Sequence, residues 1–472
     1  MTCSISAPML LEGLGHDIPN VPVRGLQVEA GNIQPGHALI VTSEKETAAL
    51  AEAESRGAAL LIHDGDIRLP AVSTPAVAVT GLKHRISSLA SRLYRYPGEQ
   101  LNLAAVAGSH GKGAVAHYLA QSWQRVDGAG GLVGAAENSA DSTTYTPLAH
   151  RNDPIHLQRA LFECVDLGIE TVALEATADC LEAGCLDRLA FDVAVFTNLM
   201  ADPVDNMGSL ECMERAMQRL FVDCLPRFAV VNHDHAAGKT LSRLVHAGTQ
   251  VLTYGTHGST ELHGAILGMD AGGMRISVSS PWGGGEIRTG LLGADNLSYL
   301  LAAAGALALM GMPWNRVMHQ LEIMRAEPGR MNGLGGEAGQ PVAVIDRAQT
   351  PQALEKALTS LRSHLHGRLI CVVGGGFGRR AMARVAESLS DHVVLTSDSG
   401  QGECPAAVFN DMQAGMDRPG AASVVSNRAR AIQRAIGECG HGDIVLIAGM
   451  GGDGSTGLSD EATVRQLLEE AA

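Results

Sequence analysis

The chain has 472 residues, more than one hydrophobic core usually organises, and its length alone predicts about three domains. A formal net charge of -15 opposes binding to nucleic-acid phosphates, and no stretch approaches the roughly 18 consecutive apolar residues that a membrane helix needs. The first residues lack the pattern of a secretion signal, so we expect a cytoplasmic protein that binds neither nucleic acid nor membrane. Nine cysteines without a CxxC pair predict reduced thiols.

Short apolar runs alternate with helical stretches along the whole chain, and this alternation predicts three successive α/β units. Residues 36–80 predict a small αβ domain over residues 1–98, which a linker at 94–100 follows. Strand candidates at 171–176, 192–199 and 228–234, with a helix at about 114–124, predict a parallel-sheet, nucleotide-binding type of domain over residues 99–326. The runs PVAVID, RLICVVGG, HVVLTSD and DIVLIAG predict a Rossmann-like domain over residues 327–472.

A glycine turn joins the first strand of the middle domain to its helix, in the sequence AVAGSHGKGAVAHYL. Gly108, Gly111 and Lys112 lie where backbone N–H groups and a helix N-terminus can hold phosphate. A working phosphate loop normally has Ser or Thr after the lysine, whereas Gly113 and Ala114 follow here and neither has a hydroxyl. From these residues alone, a turn that needs glycine only for its shape stays open as an alternative.

Several segments in the same order resemble the Mur ligases, ATP-dependent amide ligases, and among them the MurE branch of peptidoglycan synthesis. The segments that carry the resemblance are GSHGKGA, FDVAVFTNL, LLGADNLSYL, PGRMN, VIDRAQTPQALEKAL, TSDSGQGECP and GDIVLIAGMGGD. The resemblance implies a three-domain architecture: a small N-terminal UDP-sugar-type domain, a central P-loop-like domain and a C-terminal Rossmann-like ligase domain. It also implies ATP and magnesium as cofactors if the chain is active.

Some of the family's working residues are retained here. The resemblance implies that Lys112 contacts phosphate, that Glu175 is a magnesium ligand, that Asp346 contacts the ATP ribose and that Asn296 lies on the adenine side. Arg330 is retained in PGRM.

Other family positions are altered. Gly113 stands where the loop hydroxyl is expected, Pro203 replaces a magnesium-binding histidine, and Met217 replaces the lysine that becomes carbamylated in many members. A thioether is a poor ligand for a hard cation, and we expect Met217 to pack in the core. The remaining altered positions, in the adenine, amino-acid, uridine and sugar-peptide sites, are Tyr299, Gln349, Gln401, Met450, Asp453, Glu29 to Gly31 and Asn152 to Pro154.

These losses favour a catalytically impaired or inactive paralogue, a pseudoenzyme with a binding or regulatory role. It would hold a small molecule in an interdomain cleft or pair with a protein such as an active ligase, and it would need no cofactor. The alternative is an active, divergent ATP-dependent carboxylate-amine ligase that acts on a UDP-muramyl peptide or another carboxylate, with a metal site built from Glu175, Asp202 and Asp205. A third hypothesis gives the segment at residues 374–380 an anion-binding role on the same scaffold.

Overall fold

The computed structural model describes residues 4–134, 153–200, 210–336, 340–374, 378–397, 404–449 and 459–470. The chain divides into two compact units, Met1–Thr253 and Tyr254–Ala472, and each is described by itself. None of the helices in these ranges is long and apolar enough to cross a membrane. The eight cysteines within them are free thiols. The domain boundaries at residues 98 and 326 stay a prediction.

The first unit begins with a four-stranded parallel sheet in the order β3-β4-β5-β6. Leu39 and Val41 of β4 face one core and Ala38 and Ile40 face another, as period-two alternation in a covered strand requires. The elements here are β1 (Ile5–Ser6), α1 (Ala7–Leu10), β2 (Pro22–Val23), β3 (Gly25–Gln27), β4 (His37–Val41), α2 (Leu50–Ser55), β5 (Leu60–Asp64), β6 (Ala76–Val79) and α3 (Ile86–Leu93).

A larger parallel sheet follows, in which five neighbouring strands have the order β11-β10-β7-β9-β8. Its strands are almost wholly apolar because helices cover the sheet. The elements are β7 (Asn102–Ala107), α4 (Lys112–Asp127), β8 (Gly130–Val133), α5 (Pro154–Asp166), β9 (Thr171–Ala176), α6 (Ala178–Glu182), β10 (Val193–Phe196), α7 (Leu210–Val222), β11 (Phe228–Asn232), α8 (Ala236–Leu244) and β12 (Gln250–Gly255).

The second unit opens with an antiparallel meander, β13 (Leu262–Asp270), β14 (Gly273–Ser280) and β15 (Gly283–Thr289), followed by α9 (Asp295–Leu309) and α10 (Trp314–Ile323). Trp314 of α10 lies over β15, where a Cβ on Gly283 would be 3.6 Å from its ring. The Trp314 ring also stacks on Trp282, with centroids 5.7 Å apart, and Trp282 is 40% exposed. The tryptophan pair thus lies against the start of β15.

The rest of the second unit is a six-stranded sheet in the order β16-β17-β21-β18-β19-β20. Only β16, at one edge, is antiparallel to its neighbour. The elements are β16 (Asn332–Gly335), β17 (Val342–Asp346), α11 (Pro351–Arg362), β18 (Leu369–Val373), α12 (Arg379–Leu389), β19 (His392–Leu395), α13 (Pro405–Gln413), β20 (Ser423–Val424), α14 (Arg428–Gly437), β21 (Ile444–Ala448) and α15 (Asp460–Glu470). The predicted α/β class is confirmed.

Candidate functional site

The glycine turn joins the carboxyl end of β7 to the first residue of α4, Lys112. Gly108 has φ +148° and Gly111 has φ +80°, backbone conformations that favour glycine. A Cβ on Gly108 would collide with the Thr197 hydroxyl and would lie 3.0 and 3.1 Å from the backbone O and N of Asn198. Both glycines are therefore required by conformation, and Gly108 also by its close neighbours.

The end of β10 holds this loop through hydrogen bonds. The backbone N–H of Ser109 donates to Asn198 O at 3.0 Å, and that of His110 donates to Asn198 Oδ1 at 2.9 Å. The Asn198 amide and the Thr197 hydroxyl both donate to His110 O, at 2.9 and 2.8 Å. Sequence reasoning missed Thr197 and Asn198 as loop supports. Their position could have predicted this role: they follow β10, which is parallel to β7, and the carboxyl ends of parallel strands lie at the same edge of a sheet.

Lys112 lies at the N-terminus of a 16-residue helix, and its Nζ donates to Ser109 O at 3.4 Å. A cation at a helix N-terminus is electrostatically unfavourable unless an anion accompanies it. Together with the N–H groups of the first turn, this arrangement suits a bound phosphate. The Ser109 hydroxyl is engaged with the backbone of Met200, with both bonds at 3.0 Å. Gly113 and Ala114, in the first helical turn, supply no hydroxyl.

Glu175 lies beside this loop on β9, where it pairs with Val106 of β7, and it is 7% exposed. The residue after β8, Gly134, lies against the Glu175 carboxylate, and a Cβ at this position would be 2.5 Å from Glu175 Oε1. The described part of the chain contains no group of three or more His, Cys, Asp or Glu side chains that could hold a metal. Pro203, Asp202 and Asp205 lie outside the described residues. Glu175 fits the role of one oxygen ligand, but the described residues do not assemble a magnesium site.

Met217 is 3% exposed on α7 and belongs to the apolar core of the large parallel sheet. Phe196, Leu220 and Phe221 share this core. Met217 thus packs in the core as expected, and its interpretation as a lost metal-site position stays a prediction.

In the second unit, Asp346 ends β17 and is 9% exposed. Its Oδ2 accepts a hydrogen bond from the Met331 N–H at 2.9 Å. Burial raises the pKa of the Asp346 carboxyl, while that hydrogen bond and the exposed Arg330 guanidinium oppose the rise. Burial also raises the pKa of Glu327, against the effect of Arg330 and Arg347. Sequence reasoning missed Glu327, although it directly precedes the PGRM motif.

Asn296, the second residue of α9, is buried, and its side-chain amide donates to Leu292 O at 2.7 Å. Its backbone N–H donates to Gly293 O at 3.0 Å. Tyr299, one turn later on α9, is half-buried, and burial raises the pKa of its hydroxyl. Asn296 and Asp346 are thus held by separate backbone hydrogen bonds within the same unit.

Some of the remaining predicted positions have structural roles, and others lie outside the described residues. Asp153 caps α5 by accepting from the Ile155 N–H at 2.9 Å, and Glu29 accepts from the Asn32 side chain at 2.8 Å. Gln349 is exposed. Asn152, Gln401, Met450 and Asp453 lie outside the described residues.

The proposed anion site at residues 374–380 is described only at its ends. Residues 375–377 lie outside the described ranges. Arg380, at the start of α12, donates to Asp411 at 2.6 Å, and Arg379 lies 3.8 Å from the same carboxylate. An intramolecular carboxylate therefore already neutralises part of the charge that the anion hypothesis requires.

Comparison with known proteins gives a consistent result over the whole chain. Residues 106–307 match the Mur ligase middle domain, and residues 329–451 match the Mur ligase, glutamate ligase domain. The UDP-N-acetylmuramoyl-L-alanyl-D-glutamate--2,6-diaminopimelate ligase of Coxiella burnetii is 33% identical over 468 residues, which cover 96% of this chain and 95% of that one. A solved structure of a ligase with the same name is 26% identical, with a TM-score of 0.75 over 100% of this chain and 99% of that one.

A more distant solved structure shares the fold. MurF ligase from Thermotoga maritima in complex with ADP is 15% identical, with a TM-score of 0.61 over 95% of this chain and 97% of that one. The α/β architecture predicted from the sequence, with a central parallel-sheet domain and a C-terminal sheet domain, matches these structures.

Proposed function

The chain belongs to the Mur ligase family, and from that premise we propose that it is an ATP-dependent ligase that joins an amine to a carboxylate. The observation that carries the proposal is the glycine loop, with Gly108 fixed against β10 and Lys112 at the start of α4. The proposed carboxylate substrate is a UDP-muramyl peptide, because the diaminopimelate ligases named above match almost the whole chain. The altered amino-acid pocket leaves the amine open.

In this mechanism the N–H groups in the first turn of α4 bind the terminal phosphates of ATP, because the Ser109 and His110 N–H groups are already bonded to Asn198. Lys112 exchanges its hydrogen bond to Ser109 O for one to a phosphate oxygen, which offsets charge during transfer to the substrate carboxylate. The transfer releases ADP and forms an acyl phosphate. The amine attacks its carbonyl carbon, phosphate leaves, and the nitrogen loses a proton as the amide forms. That Asp346, in the second unit, contacts the ribose stays a prediction from the resemblance.

A second candidate function, binding without turnover, is favoured by two specific observations. The first turn of α4 carries no hydroxyl at Gly113 or Ala114, and Met217 is buried in the apolar core. Phosphoryl transfer depends largely on positioned cations, so these changes would slow it more than they would weaken nucleotide binding. Such a protein would act through a ligand or a protein partner.

Two measurements separate the candidates: calorimetric titration with ADP, and phosphate release from ATP with a UDP-muramyl dipeptide and a panel of amino acids. A ligase binds ADP and releases phosphate only when both substrates are present, and Lys112→Ala abolishes both properties. Lys239→Ala, at an exposed position on α8, is the matched control and should behave as the wild type. ADP binding without turnover for any amine would favour the second candidate. Absence of ADP binding would contradict the ligase proposal.

A further inference from the structure

His364, two residues after α11, is fully buried in the second unit and contacts two backbone groups of opposite kind. The Gly293 N–H donates to His364 Nε2 at 2.8 Å, and His364 Nδ1 lies 2.9 Å from Asp270 O. A ring nitrogen that accepts from an N–H carries no proton, whereas one that faces a carbonyl must carry one. These partners therefore select the neutral imidazole with its proton on Nδ1.

The contact joins three segments that are distant in sequence. Asp270 ends β13, Gly293 precedes α9 and His364 follows α11. Gly293 has φ +96°, and a Cβ there would lie 2.8 Å from Ser360 Oγ on α11. The close approach of α11 therefore depends on glycine at this position, and His364 fixes the direction of the Gly293 N–H.

The same short segment holds Asn296. The carbonyl of Gly293 accepts from the Asn296 backbone N–H, and the carbonyl of Leu292 accepts from the Asn296 side chain at 2.7 Å. The peptide unit between Leu292 and Gly293 supplies one of these carbonyls and the N–H that binds His364. A rotation of this peptide unit would therefore alter the His364 contact and the Asn296 side chain together.

We propose that His364 is a positioning residue that, through Gly293, orients Asn296 and the start of α9 for nucleotide binding. The effect on nucleotide rests on the proposed function and on the adenine-side role that the resemblance implies for Asn296, whereas the orientation of residues 292–296 does not. An exposed ion pair, Lys356 with Asp295 at 2.9 Å, also joins α11 to α9, but its side chains are 60% and 58% exposed. Exposed ion pairs contribute little to stability, so we assign the orienting role to the buried His364 imidazole.

The test compares two variants that keep or remove the hydrogen-bonding capacity of His364. The Gln side chain offers an acceptor and a donor on a planar group, so His364→Gln should retain most of the ADP affinity. His364→Leu leaves the Gly293 N–H and the Asp270 carbonyl without this partner, and we expect ADP affinity to fall about tenfold. His366→Gln, the same change at an exposed position two residues away, is the control and should leave ADP affinity unchanged.

Two further readouts depend on the contact itself. Nitrogen NMR of histidine-labelled protein should show one resonance pair, absent in His364→Gln, with a protonated Nδ1 and an unprotonated Nε2. Hydrogen exchange at the amides of residues 293–297 should be faster in His364→Leu and close to wild type in His364→Gln. A proton on Nε2, or unchanged exchange in His364→Leu, would overturn the proposal.

The outcomes also separate this inference from the proposed function. If the wild type does not bind ADP, the proposed function fails, while faster exchange in His364→Leu still supports the orienting role. If the wild type binds ADP and His364→Leu binds it equally well, the positioning role is refuted and the proposed function stands.

Discussion

Replacement of Gly108 by alanine tests whether the glycine loop is the phosphate site. The new methyl group would displace the Thr197 hydroxyl, which donates to His110 O at 2.8 Å, and it would occupy a backbone conformation at φ +148° that disfavours side chains. Backbone strain of about 1–3 kcal/mol and a lost hydrogen bond of about 1 kcal/mol sum to about 2–4 kcal/mol. If the loop relaxes in the free protein, this cost opposes ADP binding and weakens it roughly 30- to 1,000-fold.

The assay is calorimetric titration of ADP into wild type and Gly108→Ala, with thermal unfolding measured in parallel. Gly128→Ala is the matched control, because Gly128 also has positive φ and ends the same helix, yet a Cβ there meets nothing within 4 Å. It should lose about 1 kcal/mol of stability and no affinity. Thr197→Ala should partly rescue Gly108→Ala. Affinity within threefold of wild type in Gly108→Ala would refute the reasoning.

Three other predictions concern residues of both units. Arg428 and Asp460 form a largely buried ion pair at 2.8 Å, so Asp460→Ala should lower the free energy of unfolding by about 3–5 kcal/mol. The double variant Arg428→Met, Asp460→Leu should recover most of this loss, and denaturant titration measures the stability of both variants. Burial raises the pKa of Asp346 above its ordinary 3.8, so the folded protein binds this proton more tightly than the unfolded chain does. The free energy of unfolding of the wild type, relative to Asp346→Asn, should therefore fall as pH rises from about 3.8 through the raised pKa. An opposite slope in pH-dependent unfolding would contradict this. Met217→Lys should lower the melting temperature by several degrees and should not raise the rate of phosphate release, because the ammonium would be buried in the apolar core that holds Phe221.

Buried strands of the parallel sheets were predictable because they form short continuous apolar runs. The run at residues 171–176 coincides with β9, and PVAVID contains β17. The meander β13 to β15 was missed, since these antiparallel strands are partly exposed and interrupted by glycines such as those of GGGEIRT. The helix after the glycine turn begins at Lys112 rather than at about residue 114, because the Val115 N–H already donates to Gly111 O at 2.9 Å.

The candidate site was predictable only where a local motif marks it. Gly108, Gly111 and Lys112 lie together as their spacing predicts. Asn198, in contrast, reaches the loop from a different strand, and a lone buried residue such as His364 carries no local pattern at all. Partners of this kind are selected by tertiary distance, which a single sequence does not contain.

The three tryptophans allow intrinsic fluorescence to report on separate parts of the molecule. Trp123 is 5% exposed on α4, three helical turns beyond Lys112, whereas Trp282 is 40% exposed and stacks on Trp314. Iodide should quench Trp282 first, so the unquenched emission at high iodide is enriched in Trp123. A variant with both Trp282→Phe and Trp314→Phe would keep only Trp123 and would report, without any attached dye, on the helix whose first residue is Lys112.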